Sequence, residues 1–259
     1  MTKFVPRYRT VDVDEESTAS SLPKEAFDKF NPALLALGDI RRGGESVEAL
    51  AAIFDLQGFT NFCNQNDPHL VVPEYLRDFL EWLFNAIRKS FIHSTTTDRV
   101  LLWSPLPFYS KFLGDGVLFL WDTRKLDPGE IGNIVLALKA ICKSYESEFL
   151  PTVRTRVLRP PLKLRCGVAR GQVVSIGKGV DFVGPCINIA SRLQKLGTLT
   201  FAFPRRGFDP KECFQDDVID EFVTKKVRIR GTNDEEIVLV DKAEFEALSE
   251  EHRKEFQDP

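Results

Sequence analysis

Continuous apolar runs along the chain predict a set of buried strands. They are bounded by glycine, proline and aspartate, the residues that commonly interrupt strands. The runs lie at 49–54, 100–103, 111–121, 162–168, 172–176, 227–229 and 236–240. The run at 111–121 breaks at Gly114-Asp115-Gly116, which indicates a hairpin, and the last two runs indicate a closing hairpin.

Apolar residues at helical spacing predict helices between these strands. The first helix is predicted to begin at Pro73, and its apolar stripe consists of Leu76, Phe79, Leu80, Leu83 and Ile87. Further helices are predicted from Ile131 to about Leu150, from Cys186 to Leu196 and from Lys242 onward. Because strands and helices alternate irregularly, the pattern favours an α+β fold over a parallel doubly wound sheet.

The beginning of the chain differs from the rest. Residues 1–44 are polar, charged and irregular, and the stretch "RRGGES" (41–46) is typical of a linker. We therefore predict an N-terminal extension at 1–44, a folded domain at 45–241, and a charged C-terminal helix or tail at 242–259.

Composition and charge narrow the possible functions. The chain has 259 residues, of which 43% are hydrophobic and 28% charged, as in soluble globular domains. A formal net charge of −3 offers no global positive field for nucleic acid or anionic lipid. No apolar stretch approaches the roughly 20 residues of a membrane helix. The start has no apolar signal core and the five cysteines form no CxxC pair, so we expect a cytoplasmic protein with reduced thiols.

Two single aspartates end or interrupt apolar runs. Asp55 closes the strand predicted at 49–54, and Asp115 lies in the Gly-Asp-Gly turn. Each is compatible with an ordinary role, Asp55 as a helix cap or turn residue and Asp115 as a hairpin corner. Two carboxylates at strand ends also suit Mg²⁺ or Mn²⁺ bound to nucleotide phosphates. The segment "LQGFT" that follows Asp55 offers backbone N–H groups for such phosphates.

A third candidate element is the short predicted helix that contains Asn188 and Arg192. The two residues are four apart, so they share a helical face. They suit a phosphate and a sugar oxygen. Taken alone, the pair is more typical of a solvated polar face.

Four motifs in this order resemble the class III nucleotidyl cyclases, the adenylate and guanylate cyclase homology domains. They read "FDLQGFT", "KFLGDG", "CGVARGQVVSIG" and "DFVGPCINIASR", and the likeness covers roughly residues 47–241. The resemblance implies a ferredoxin-like α+β domain with a mixed or antiparallel sheet and packed helices, working as a head-to-tail homodimer with two interfacial sites.

The resemblance also implies a role for each matching residue. Two divalent cations per site, Mn²⁺ or Mg²⁺, would be held by Asp55, Asp115 and the carbonyl of Leu56. Asn188 would orient the ribose and Arg192 would stabilise charge on the α-phosphate. The remaining substrate-binding positions would be Phe54, Gly58, Phe59, Thr60, Lys111, Asp181 and Arg230. Arg230 matches less well, because Thr232-Asn233 stands where the family usually has Lys-Gly.

Lys111 and Asp181 match the two base-reading positions. A Lys/Asp pair disfavours guanine but is compatible with adenine, cytosine and uracil. The aromatic residues Phe54, Phe112 and Phe182 either narrow the base pocket or belong to the core. A diguanylate cyclase is disfavoured, since "LGDGV" has one acidic residue at the turn. A non-catalytic cyclase-like domain is also disfavoured, because both aspartates, Asn188 and Arg192 are present.

"GDGVLFLW" and "VGPCINIASRLQKL" are most similar to the bacterial pyrimidine cyclases of Pycsar anti-phage systems. The resemblance implies conversion of UTP to cyclic UMP, which activates a separate effector. ATP and CTP are the alternative substrates. No nucleic-acid or membrane partner is expected.

Overall fold

The computed structural model describes residues 7–12, 18–39, 41, 43–65, 67–229 and 235–259. The strands in chain order are β1 (Arg9–Asp12), β2 (Thr18–Ser21), β3 (Ser46–Gln57), β4 (Ile92–Thr95), β5 (Val100–Leu102), β6 (Tyr109–Phe112), β7 (Gly116–Asp122), β8 (Lys163–Ile176), β9 (Asp181–Val183), β10 (Phe201–Pro204), β11 (Phe222–Arg228), β12 (Glu235–Asp241) and β13 (Phe256–Gln257).

The α-helices are α1 (Lys24–Asp28), α2 (Phe59–Cys63), α3 (Pro68–Ser90), α4 (Pro128–Ser144), α5 (Leu150–Val153), α6 (Pro185–Leu193), α7 (Pro210–Cys213), α8 (Asp216–Ile219), α9 (Lys242–Glu246) and α10 (Glu250–Arg253). A π-helical turn, Tyr145–Phe149, joins α4 to α5, and a 3₁₀ turn, Pro32–Leu35, follows α1. Within the described residues, no helix is both long and apolar enough to span a bilayer.

The chain divides into two compact units. The larger unit contains residues 47–173 and 184–259, and the smaller contains residues 1–46 and 174–183. The predicted domain boundaries at residues 44 and 241 stay predictions.

The larger unit is built on a mixed sheet in the order β13-β11-β12-β10-β8-β3-β7-β6. β3 and β7 are antiparallel, as are β7 and β6, whereas β10 runs parallel to β8. The helices α3 and α4 pack on one face. The core there is formed mainly by Leu50, Phe54, Leu56, Phe119, Trp121, Tyr75, Phe79, Leu83, Val135, Leu138 and Cys142. This mixed sheet with packed helices confirms the predicted α+β class.

The smaller unit is more ordered than the polar pattern of residues 1–44 indicates. β1 and β2 pair as an antiparallel hairpin, and β9 pairs antiparallel with the last residues of β8. The backbone of Glu45 exchanges hydrogen bonds with Ser175: its N–H donates to the Ser175 hydroxyl at 2.8 Å, and its carbonyl accepts from the Ser175 N–H at 2.9 Å. The described part of the predicted N-terminal extension thus contains a β-hairpin, and the extension itself, with its possible flexibility, stays a prediction.

Both predicted hairpins are confirmed. β6 and β7 pair around the Gly-Asp-Gly turn, and β11 pairs with β12 along its whole length. Gly114 has φ +99°, a conformation that favours glycine. A Cβ on Gly116 would lie 1.9 Å from the Phe54 carbonyl oxygen, so the close approach of β7 to β3 requires glycine there.

Four predicted elements differ from those observed. The helix predicted from Pro73 begins at Pro68, because proline suits a first helical turn and Asp67 completes the preceding turn in a left-handed conformation. The runs at 162–168 and 172–176 form one strand, β8, which continues through "ARG". The 100–103 run pairs with β4 in a separate two-stranded sheet. The C-terminal segment forms α9, α10 and β13 in place of one helix.

Candidate active site

Asp55 and Asp115 lie side by side at one end of the sheet. Asp55 is near the end of β3 and directly opposite Gly116, the first residue of β7. The Leu56 N–H donates to the carbonyl oxygen of Asp115 at 3.0 Å, which fixes the turn against the end of β3. Asp55 thus comes from β3 and Asp115 from the β6–β7 turn beside it, and their role as metal ligands stays a prediction.

The carboxylate of Asp55 is buried and paired with a cation. Its side chain is 5% exposed, and the guanidinium of Arg165 on β8 donates to it at 2.5 Å. Burial raises the pKa of Asp55 above its ordinary value. The hydrogen bond and charge of Arg165 oppose this increase, the negative charge of Asp115 adds to it, and the charge of Lys195 opposes it. Nearby positive charge therefore offsets part of the cost of burying the ionised Asp55 carboxylate.

The sequence analysis does not identify Arg165 as a residue of this site. It is 13% exposed, and its Nε has no hydrogen-bond partner among the described residues. The signal was present, because Arg165 is a charged residue inside the apolar run "LKLRCGV". A buried charge normally requires a partner, and Asp55 is that partner.

The helix α6 presents the two predicted catalytic residues outward. Asn188 and Arg192 are exposed, whereas Cys186, Ile189, Ala190 and Leu193 are buried. A Cβ on Gly167 of β8 would lie 2.1 Å from the Ala190 carbonyl oxygen, so α6 packs directly on the β8 backbone. Lys195, two residues beyond α6, is within electrostatic range of Asp55.

Lys111 lies on the same face of the sheet as Asp55. It is opposite Leu118 in the β6–β7 pair, and Leu118 is opposite Ile53, two residues before Asp55. Since opposite residues in a sheet share a face and alternate residues along a strand do too, Lys111 and Asp55 project from one side. Lys111 is exposed.

Asp181 belongs to β9 in the smaller unit. It is half-buried, and its Oδ1 accepts a hydrogen bond from the N–H of Phe182 at 2.8 Å. Phe182 is also half-buried.

The loop after Asp55 has the backbone conformation of a tight turn. Gly58 has φ +84° and forms the N-cap of α2, and both Gly58 and Thr60 are exposed. The half-buried Phe59 packs its ring 5.8 Å from that of Phe62.

Phe54 and Arg230 are the two remaining residues that the sequence predicts to contact the substrate. Phe54 is fully buried and packs edge-to-face on Phe119, with ring centroids 6.1 Å apart. It alternates with Asp55 along β3 and therefore points into the core, so we correct its assignment from substrate binding to packing. Arg230 lies outside the described residues. Phe112, by contrast, is 49% exposed.

The donor set fits a hard divalent cation. Carboxylate and carbonyl oxygens are the usual ligands of Mg²⁺, which is commonly held by one or two carboxylates together with substrate phosphates. Asp55 and Asp115 supply two carboxylates, and their proximity is visible in the effect of Asp115 on the Asp55 pKa. Among the described residues, no group of three or more His, Cys, Asp or Glu side chains that could hold a metal ion occurs at this site or elsewhere, so substrate phosphates would have to supply further ligands.

Comparisons with known proteins identify the fold. The chain is similar to the crystal structure of the adenylyl cyclase CyaB from P. aeruginosa, with 14% identity, a TM-score of 0.55, and coverage of 77% of this chain and 96% of that one. It is also similar to the guanylyl cyclase Cya2, with 17% identity, a TM-score of 0.52, and coverage of 77% and 94%. Neither a family model nor a curated protein sequence matches the chain. The protein thus has the class III nucleotidyl cyclase fold.

Proposed function

We propose that this protein is a nucleotidyl cyclase, which converts a nucleoside triphosphate to its 3′,5′-cyclic monophosphate and pyrophosphate. The observation that carries the proposal is the proximity of Asp55 and Asp115 at one end of the sheet in a cyclase fold. Arg165 is already paired with Asp55, but Asp115 adds a second negative charge beside it, which a metal–triphosphate complex would neutralise.

Asp55, Asp115 and the Leu56 carbonyl would hold two divalent cations, Mn²⁺ or Mg²⁺. When bound, these cations would lower the pKa of the ribose 3′-hydroxyl and neutralise charge on the phosphates. Everything else in the site aligns the substrate, since positioning and charge stabilisation dominate phosphoryl chemistry.

The chain's own residues would do this alignment. The exposed guanidinium of Arg192 would stabilise negative charge on the α-phosphate while the 3′-oxygen attacks and pyrophosphate leaves. Asn188, on the same face of α6, would donate to the ribose. The turn at Gly58–Thr60 would present backbone N–H groups to the phosphates, with Phe59 packed beneath it, and Arg230 would bind the triphosphate.

We further propose a head-to-tail homodimer with two equivalent sites. Asp55 and Asp115 would come from one protomer, and Lys111, Asp181, Asn188 and Arg192 from the other. One chain carries a single copy of each set, so a symmetric pair would complete both sites. A monomer is expected to be inactive.

UTP is the substrate we favour. Lys111 would donate to O4 of uracil and Asp181 would accept from N3–H. The same two residues would read adenine or cytosine, so ATP and CTP are the alternatives. Phe112 alternates with Lys111 along β6 and therefore projects from the opposite face of the sheet, so the choice of UTP rests on the resemblance to the pyrimidine cyclases. By its resemblance to Pycsar cyclases, the protein would make cyclic UMP in the bacterial cytoplasm during infection, and the product would activate a separate effector.

The test is to incubate the protein with ATP, GTP, CTP and UTP separately, with Mn²⁺ and with EDTA, and to identify the products by mass. Cyclic UMP that forms only with Mn²⁺ is the expected result. Cyclic AMP or cyclic CMP would keep the cyclase proposal and overturn the choice of base. Nucleotide binding without any cyclic product would indicate a non-catalytic domain.

A further inference from the structure

A cleft of about 520 Å³ lies beside α2, away from the residues proposed to perform catalysis. Its walls come from α2 and the residues after it, from the first turns of α3, and from the segment after α5. The volume falls within the roughly 300–1,000 Å³ that is typical of small-molecule sites. Of the proposed substrate-binding residues, Gly58 alone contributes to it.

The cleft has hydrogen-bonding walls. Asn61 and Asn64 line it, and their exposed side-chain amides make no hydrogen bond within the part of the chain that the structure describes. Gln65 also lines it, and its amide nitrogen donates to the carbonyl oxygen of Arg159 at 3.1 Å. This bond ties the two walls together across 94 positions of sequence.

Arg159 is the charged residue of the lining, and its charge is not neutralised. It has no ion-pair partner in the described ranges. Arg156, three residues earlier, instead contacts Glu74 at 3.0 Å and Asp78 at 2.9 Å. No carboxylate belongs to the described lining. The cleft therefore presents one uncompensated positive charge beside several amide donors.

The cleft also offers apolar surface. Leu158 lines it and is 73% exposed, and Val71 and the buried Phe62 form its floor. An exposed leucine next to an unpaired arginine gives a ligand an apolar contact beside an ionic one.

We propose that this cleft binds a small organic phosphate, with the phosphate on Arg159, Asn61 and Asn64 and the carbon skeleton on Leu158 and Val71. A guanidinium and two amides offer more N–H donors than the two oxygens of a carboxylate ligand can use. The three terminal oxygens of a phosphate monoester can accept from all three groups. The described lining offers no carboxylate for a metal, so this site is distinct from the Asp55 site and does not depend on the proposed cyclase activity. Gly58 belongs both to the lining of the cleft and to the proposed substrate-binding turn. A molecule bound in the cleft would therefore contact the turn that follows Asp55.

The experiment is an NMR titration of the full chain in EDTA, which silences metal-dependent nucleotide binding. The probes are inorganic phosphate, ribose 5-phosphate, UMP and acetate. The readouts are the side-chain amide signals of Asn61, Asn64 and Gln65. We expect saturable shifts of these signals with the phosphates, and at least tenfold weaker apparent affinity in Arg159→Gln. Arg154→Gln is the matched control, since Arg154 is exposed in the same segment and does not line the cleft.

Each outcome decides the proposal. Tighter binding of ribose 5-phosphate or UMP than of inorganic phosphate supports an organic phosphate, and the comparison of these two distinguishes a sugar phosphate from a nucleotide. The proposal would be overturned if the amide signals did not shift, or shifted linearly without saturation. It would also be overturned if acetate bound as tightly as the phosphates, or if Arg159→Gln left the affinity for the phosphates unchanged. Asn64→Ala provides a second variant, which should weaken binding even if Arg159→Gln folds poorly.

Discussion

Arg165 donates to Asp55 at 2.5 Å across the neighbouring strands β8 and β3, and both side chains are largely buried. The carboxylate that we propose as a metal ligand therefore already has a fixed positive neighbour. Such a pair holds Asp55 in place, while the second carboxylate, Asp115, keeps the site receptive to further cations.

Breaking this ion pair should destabilise the protein. In Arg165→Met, Asp55 remains buried without its counter-charge, so we expect a loss of about 3–5 kcal/mol in the free energy of unfolding. Urea denaturation without metal measures it. The double variant Arg165→Met with Asp55→Leu should recover much of the loss, because no lone charge then remains. Equal stability of Arg165→Met and the unaltered protein would contradict the importance of the pair.

Removing the charge of Asp115 should abolish turnover without unfolding the protein. Asn is nearly isosteric with Asp, and Asp115 lies in a partly exposed turn, so we expect at least a 100-fold loss of cyclic product, about 3 kcal/mol in activation free energy. Mn²⁺ binding by calorimetry should weaken in parallel. Asp122→Asn, at the other end of β7, is the control, and its partner Arg124 forms a surface pair of small energy. Retained activity in Asp115→Asn would refute the metal assignment.

Displacing α6 should reduce catalysis from a distance. A methyl group on Gly167 would lie 2.1 Å from the Ala190 carbonyl oxygen and 2.5 Å from the Gln194 nitrogen, so Gly167→Ala must move α6. We expect a loss of about 1–3 kcal/mol in stability and roughly tenfold in kcat. Gly171→Ala on the same strand meets only an ordinary contact, 3.5 Å from the Cys186 Cβ, and should be nearly neutral. Similar kcat values in the two variants would argue against this role for α6 packing.

Reversing the charge at Lys111 should change base selection. A carboxylate there would accept from the N1–H and amino group of guanine and would repel the acceptor edges of uracil, cytosine and adenine. Lys111→Glu is therefore expected to lose most UTP turnover and to gain measurable cyclic GMP. Product profiles with the four triphosphates measure this, with the exposed Lys125→Glu as the control. An unchanged profile would mean that Lys111 does not face the base.

The buried Asp241 carboxylate should make the free energy of unfolding depend on pH under acidic conditions. Burial alone would raise the pKa of Asp241, but hydrogen bonds from Lys139, the Glu244 N–H and Lys143 lower it below its ordinary 3.8. Such a carboxylate stabilises the fold above its unfolded-state pKa, and this stability is lost as pH falls through the lower folded-state pKa. Urea midpoints from about pH 6 to about pH 3 should therefore fall less steeply in Asp241→Asn than in the unaltered protein.

The matched control for this titration is the exposed Asp217→Asn, which should keep the slope of the unaltered protein. Identical slopes for Asp241→Asn and Asp217→Asn would contradict the role of the Lys139–Asp241 contact, in which the charged atoms are 3.0 Å apart.

Local patterns predicted much of this fold because local interactions determine those parts. "DPGE" predicts the start of α4, where Asp127 and Glu130 form a reciprocal capping box. The Gly-Asp-Gly turn predicts the β6–β7 hairpin, whereas only the resemblance to a known family implies that Asp55 and Asp115 share a site. The pairing of Arg165 with Asp55 joins residues 110 positions apart, and no local pattern specifies it. The cleft at Arg159 depends similarly on contacts between distant segments.

The position of β3 between β7 and β8 has a consequence for protein synthesis. Asp55 leaves the ribosome 110 residues before the arginine that neutralises it, a delay of about 5–20 s at usual elongation rates. During that interval the apolar strand has no partner on its β8 side, and nascent-chain chaperones are the natural protection for it. A chain terminated between residues 115 and 165 would carry both proposed metal carboxylates but lack Arg165, Asn188 and Arg192, so it would lack residues that the proposed reaction needs.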